Sequence, residues 1–118
     1  MNIEDFRNYC LAKACATEGF PFDKTTLVFK VCNKIFAITG LERQPPAVNL
    51  KCNPEKAIEL REEYEGVILP GYHMNKKHWN TVQITNLSEK FMSKWIDHSY
   101  DLVVSSLPKK MKDLLKEQ

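Results

Sequence analysis

The densest grouping of side chains capable of chemistry lies at positions 70–82, Pro-Gly-Tyr-His-Met-Asn-Lys-Lys-His-Trp-Asn-Thr-Val. Within it Tyr72, His73, Asn75, Lys76, Lys77, His78, Trp79 and Asn80 crowd into a stretch with the irregular composition of a loop. Lysines supply positive charge, amides supply hydrogen bonds and rings supply stacking surface, a combination that suits an anionic partner. Positions 66–88 contain no Asp or Glu, so no acid in that window opposes the cations. Only Lys76 and Lys77 carry a full charge there, so the window is poor in charge of either sign. The same residues also fit a purely structural connection. In that case Tyr72 and Trp79 pack, His78 and Asn80 bond to backbone, and Lys76-Lys77 occupies an exposed turn.

Catalysis needs a nucleophile or an acid–base pair with an orienting partner. His73 and His78 have no carboxylate in their own window, and His98 with Asp101, three apart on one helix, reads as a surface ion pair. No Gly-rich phosphate loop, HExxH or GxSxG is present. The expectation is a protein that is not an enzyme, with no catalytic residue and no cofactor. Cys10, Cys15, Cys32 and Cys52 form no CxxC and no Cys/His set with zinc spacing. On one helix Cys10 and Cys15 would lie roughly 140° apart. They are expected to be free thiols that bind no metal, filling space as small hydrophobes.

The 118 residues suit a single domain, and 43% hydrophobic with 27% charged residues is ordinary globular composition. Seventeen basic and fifteen acidic residues leave a net charge of +2, well short of a strongly basic nucleic-acid binder. The charge is mildly divided. Residues 1–65 hold 9 basic and 10 acidic side chains, and residues 66–118 hold 8 and 5. No apolar run approaches a membrane span, and the acidic Met1-Asn2-Ile3-Glu4-Asp5 start lacks the apolar core of a signal peptide. A cytoplasmic monomer is expected.

Several elements must position the loop. Residues 2–17 read as a helix, with Asn2 as cap and Ile3, Phe6, Cys10 and Ala14 as its buried stripe. Gly19 and Pro21 stop it, and Phe20 and Phe22 are expected to dock on the core. Residues 25–39 read as a β-hairpin turning at Cys32-Asn33, with Phe29 opposite Phe36 and Leu27 opposite Ile38. Ala47–Cys52 reads as a third strand. Asn53-Pro54-Glu55 caps and starts a helix that ends near Gly66. Val67-Ile68-Leu69 and Trp79–Ile84 read as two further strands. A long helix then runs from Asn86 or Ser88 to Leu107, its inner stripe Met92, Trp95, Ile96, Ser99, Leu102 and Val103, and a short one spans Lys109–Glu117. Phe29, Phe36, Trp95 and Leu102 are expected to be buried. The order predicts an α+β fold in two layers, an antiparallel or mixed sheet of about five strands covered by helices on one face.

Pro70 to Val82 resembles the signature of the MmcQ/YjbR family of small bacterial proteins. Phe20-Pro21-Phe22 followed by Leu27–Val31 resembles that family's first strand, Lys34–Ala37 its second, and Val48–Cys52 before Asn53-Pro54-Glu55 its third strand and capped helix. Ser99–Val104 and Leu107-Pro108 resemble its last long helix, so the likeness runs from about residue 5 to 115. Cys32-Asn33 departs from it, since many members carry glycines there. The resemblance implies a two-layer α+β fold with an antiparallel sheet, similar in architecture to type III secretion chaperones. It implies little chemistry. Members have been suggested to bind DNA because their shape resembles a double-wing arrangement, which is a fold-level analogy.

Two functional expectations follow. One is a DNA-binding module using the Lys/His/Trp loop, with Lys76, Lys77, Lys30, Lys34 and Lys51 on phosphates and Trp79 or Tyr72 near bases. The other is an adaptor for a protein or a small anionic ligand. Geometry separates them. A convex basic ridge favours nucleic acid, and a concave site with converging polar groups favours a ligand.

Overall fold

Asn2 opens the first helix, α1 (Ile3–Leu11), through a capping box in which its side chain accepts from the Asp5 amide and Asp5 reaches back to the Asn2 amide. The computed structural model describes residues 1–117. Phe6 and Cys10 are the buried face of α1. The helix stops well short of residue 17. Ala16–Gly19 instead forms strand β1, paired antiparallel with Val28–Val31. The alanines of this stretch favour helix, but a run of ladder bonds along an otherwise open sheet edge outweighs that local preference. Phe20 and Phe22, expected in the core, are 48% and 65% exposed in the connection that follows.

Strand β2 (Thr26–Val31) and strand β3 (Lys34–Gly40) form the expected hairpin around Cys32-Asn33. Both turn residues have positive φ, 48° and 67°, as the tight primed turn between twisted strands demands. The register is not the expected one. Val31 pairs with Lys34 and Lys30 with Ile35, but Phe29 then pairs with Ala37 and Leu27 with Thr39. A bulge at Phe29/Lys30 leaves Phe36 as the extra residue. It lets Phe36 and Ala37, neighbours in sequence, both enter the core.

Strand β4 (Ala47–Lys51) pairs with β3, and strand β6 (Trp79–Gln83) lies between β4 and β5 (Ile68–Pro70). The sheet therefore has six strands, β1-β2-β3-β4-β6-β5, all antiparallel, rather than about five. The α+β class stands, and the extra strand is β1. Helix α2 (Pro54–Glu63) is capped by Asn53, and helix α3 (Glu89–Ser105) by Ser88. A short α4 (Lys109–Lys116) ends the described chain.

The helices share one side. Phe6, Cys10, Ala57, Leu60, Met92, Ile96 and Val103 form a single cluster with Leu27, Phe29, Phe36, Val48, Leu50 and Val82 of the sheet. Met92, Ile96, Ser99 and Val103 define the centre of the inward face of α3. Trp95 and Leu102 lie to one flank of that line at 100° per residue, and are half-buried rather than buried. Alternation sends Thr26, Val28, Ile38, Asn49 and Thr81 to the opposite face, which no helix covers.

Candidate functional site

The 70–82 segment is fastened to this bare face by a short polar chain. The Tyr72 amide donates to Thr81 Oγ1 at 2.9 Å, and that hydroxyl donates to Asn49 Oδ1 at 2.6 Å. The Gly71 amide donates to the Trp79 carbonyl at 2.9 Å. A Cβ on Gly71 would stand 2.7 Å from the Trp79 Cβ, so only glycine allows this approach. His73 takes a left-handed backbone at φ 56°, and Asn75 Oδ1 accepts from the Lys77 amide to close an Asx turn. The turn presents Asn75, Lys76 and Lys77 to solvent. Arg61 of α2 donates to the Lys76 carbonyl at 3.0 Å and braces it.

The eight expected site residues thus divide. Tyr72 and His73 are exposed, with ring centroids 4.0 Å apart. Asn75, Lys76 and Lys77 form the exposed turn. His78 is half-buried, and its main chain is engaged, its carbonyl accepting from the Cys52 amide at 2.8 Å. Trp79 is buried and serves as a packing anchor rather than a stacking platform. Asn80 faces the helices and is 2% exposed. Its Nδ2 donates to the Ala57 carbonyl of α2 at 3.3 Å, and its Oδ1 has no protein partner among the described residues. A cavity of about 10 Å³ lined by Asn80, Cys52, Leu60 and Trp95 lies beside it, large enough for about one water. Trp79 and Asn80 are consequently structural, and only the first part of the signature is available to a partner.

That part opens onto a groove of about 730 Å³ on the bare face. Ile35 and Ile38 of β3 supply apolar lining. Tyr72, His73 and Met74 come from the signature loop, Phe22 from the β1–β2 connection and Arg43 from the β3–β4 connection. The Arg43 guanidinium lies 5.1 Å from the centre of the Tyr72 ring. It has no carboxylate partner, since the ion pairs among the described residues are Arg7–Glu18 and Lys13–Asp97. Asp23 is also in the groove, but its carboxylate is engaged by Thr25 and Thr26, whose hydrogen bonds hold its pKa below the usual range. Sequence spacing offered no signal for Arg43, because the three connections meet only in the folded sheet.

Lys30 and Lys51 share the bare face near the end of the sheet where the β2–β3 turn carries Lys34 and where β6 begins. Lys51 pairs with Trp79, directly after the turn of Lys76 and Lys77. The five lysines named from the sequence therefore gather toward one end of the sheet.

His98 does not pair with Asp101. Its Nε2 accepts the Asn53 amide at 3.1 Å, which fixes a neutral imidazole with the proton on Nδ1. Burial, and then the nearby Lys56, push its pKa down. The four cysteines are free. No helix among the described residues is long and apolar enough to cross a membrane.

An all-antiparallel sheet with helices on one side and a loop-rimmed groove on the other defines a small α+β domain of the YjbR type. The chain belongs to the YjbR family, whose model matches residues 11–102. It is 34% identical to the uncharacterized protein YjbR of Escherichia coli K12 over 116 residues, covering 98% of each chain. It is 40% identical to the uncharacterized protein YbdF of Escherichia coli O157:H7 over 92 residues, 77% of this chain and 75% of that one. The crystal structure of a Deinococcus radiodurans protein of domain family DUF419 superposes with a TM-score of 0.91 at 35% identity, covering 98% of this chain and 88% of that chain. A Pseudomonas syringae protein of known structure superposes at 0.73 with 29% identity, covering 86% and 98%.

Proposed function

We propose that this protein is a binding module, not an enzyme, and that its bare-face groove takes a small organic anion with an aromatic or apolar body. The observation that carries the reading is the unpaired Arg43 guanidinium stacked on Tyr72 at the rim of a groove with apolar lining. The geometry is concave, and an arginine in a fixed planar fork suits a carboxylate, sulfonate or phosphate. Isoleucines and the 65%-exposed Phe22 offer contact to the body of the ligand. Loop histidines without a carboxylate partner, and a His98 used as a backbone acceptor, fit binding better than proton transfer.

Anilinonaphthalene sulfonate, an aromatic anion, is a suitable probe. Saturable one-to-one fluorescence titration of the folded protein is expected, with affinity falling about tenfold in Arg43→Ala, the loss of one charge-assisted contact. Equal affinity in wild type and Arg43→Ala overturns the reading.

A DNA-binding reading is favoured by a separate observation, the gathering of Lys30, Lys34, Lys51, Lys76 and Lys77 toward one end of the sheet. In that reading Lys76 and Lys77 each neutralise about one phosphate. Lys76→Ala/Lys77→Ala then flattens the dependence of log affinity on log salt by ~2 and leaves thermal stability unchanged. Parallel salt slopes, or no duplex binding at low salt, end the DNA reading.

A further inference from the structure

The geometry points to Cys15 and Cys32 as an oxidisable dithiol that closes to an intramolecular disulfide with a small-molecule disulfide as oxidant. The first pairing of β1 with β2 is Ala16 with Val31. One step further along an antiparallel ladder places residue 15 opposite residue 32. Cys15, Cys32 and Tyr100 all pack against the core cluster, and the Tyr100 hydroxyl donates to the carbonyl of Ala14, next to Cys15, at 2.6 Å. Both side chains are partly accessible.

The backbone turns both residues out of the strands. Cys32 opens the β2–β3 turn with φ 48°, and Cys15, with φ 58°, lies in the turn closed by the Ala16 amide on the Lys13 carbonyl at 3.1 Å. A left-handed backbone directs Cβ away from the course of a regular strand, so both side chains leave the ladder at the same end of the β1–β2 pair.

The other two cysteines define selectivity. Cys10 and Cys52 are buried, and burial pushes their thiols up to about 12 and about 11. Both are therefore shielded from a dissolved oxidant. Burial and the neighbouring Cys15 push the Cys32 thiol up as well, so accessibility is what sets the Cys15–Cys32 pair apart.

The reaction balances with glutathione disulfide as oxidant. A thiolate of the pair attacks one sulfur of the small disulfide, forms a mixed disulfide and expels one glutathione thiolate. The second cysteine, deprotonated, attacks the protein sulfur of that mixed disulfide and expels the other. Two electrons pass from the protein thiols to the oxidant, whose S–S bond breaks. The two protons end on the released glutathione thiols. The new bond would tie the start of β1 to the β2–β3 turn, pinning an edge strand.

The test is incubation of the native full-length protein with glutathione disulfide, followed by thiol counting in denaturant and peptide mapping by mass spectrometry. The expected result is a fall from four titratable thiols to two, with a monomer lighter by two hydrogens and a Cys15–Cys32 cross-linked peptide reversed by dithiothreitol. Cys15→Ser and Cys32→Ser should each stop at a stable glutathione adduct on the remaining member. The wild-type map stands even if a variant folds poorly. Four thiols remaining, a link through Cys10 or Cys52, or loss of thiols only into cross-linked dimers would overturn the proposal.

Discussion

The Nε2 of His98 on α3 accepts the backbone amide of Asn53, the residue that caps α2, at 3.1 Å. One imidazole therefore holds two helices in register above the sheet. Its edge-to-face neighbour is Trp95, 4.9 Å away, and Lys56 and Lys94 face it with Asp101 as the nearby acid. Asn53 meanwhile directs its own side chain to the amides of Glu55 and Lys56. The N-terminus of α2 is thus satisfied from two sources, one on each side of Asn53.

This bond makes stability depend on pH. Burial and Lys56 depress the folded-state pKa of His98 below its ordinary value of 6.5. The unfolded chain then binds the proton more readily, so the contribution is complete above pH ~6.5 and is lost as pH falls through the folded pKa. Urea unfolding of wild type and His98→Gln at pH 7.5 and 5.5 should show wild type losing more of its stability on acidification. Identical pH dependence in the two proteins would show that His98 is not the titrating acceptor.

Phe36 stands edge-to-face on Tyr100, ring centroids 5.4 Å apart, and is fully buried. Phe36→Ala is expected to cost ~3–5 kcal/mol, the cost of deleting a buried ring and leaving a partly collapsed cavity. Denaturant unfolding measures it directly. A loss below ~1 kcal/mol would contradict its place at the bulge between the two strands.

The bulge also shows what local pattern misses. Alternation in Leu27–Val31 and Lys34–Ile38 identifies both strands and the turn between them. A symmetrical two-residue hairpin then pairs Phe29 with Phe36, whereas the core needs room for two large rings and Ala37, and one inserted residue provides it. Strand β1 was hidden for a related reason. Ala-Lys-Ala is helical by composition, and only the exposed edge of β2 turns the following residues into a strand. Caps carry their own local chemistry, so Asn53-Pro54 and Ser88 mark their helices without help from the fold. The groove has no such marker. Phe22, Arg43 and Tyr72 come from three connections far apart in sequence, and only the sheet brings them together.

Gly71 is the position in the signature where addition of one carbon does most harm. Its Cβ would meet the Trp79 Cβ at 2.7 Å and the Trp79 carbonyl oxygen at 2.9 Å, both on the main-chain side of a buried strand. Neither can swing away as a flexible side-chain tip would. Gly71→Ala should destabilise the fold by roughly 1–3 kcal/mol through overpacking. It should also weaken probe binding at the groove, because Tyr72 follows immediately. Unchanged melting temperature in Gly71→Ala would remove the close approach as the reason for a glycine here.

Asn80 separates structural from binding roles within the same signature. Its amide donates to the Ala57 carbonyl, yet its Oδ1 is buried without a protein partner among the described residues, beside a cavity of about 10 Å³. An unsatisfied buried acceptor carries its full desolvation cost, of order 1–3 kcal/mol, and the single bond from Nδ2 offsets only part of it. Leucine has the same branched shape and heavy-atom count and no polar atom, and the adjacent cavity gives room for its bulkier methyl groups. The Ala57 carbonyl lies within α2, where the backbone ladder already gives it a donor. Asn80→Leu should therefore be neutral or stabilising by up to about 1 kcal/mol in denaturant unfolding. Because residue 80 points toward the helices and the groove lies on the other face, binding of anilinonaphthalene sulfonate should be unchanged. Asn80→Ala should instead destabilise, since it removes both the bond and the packing volume. If Asn80→Leu lost more stability than Asn80→Ala, a water in the adjacent cavity would be satisfying Oδ1, and the asparagine would be the anchor of a buried polar network.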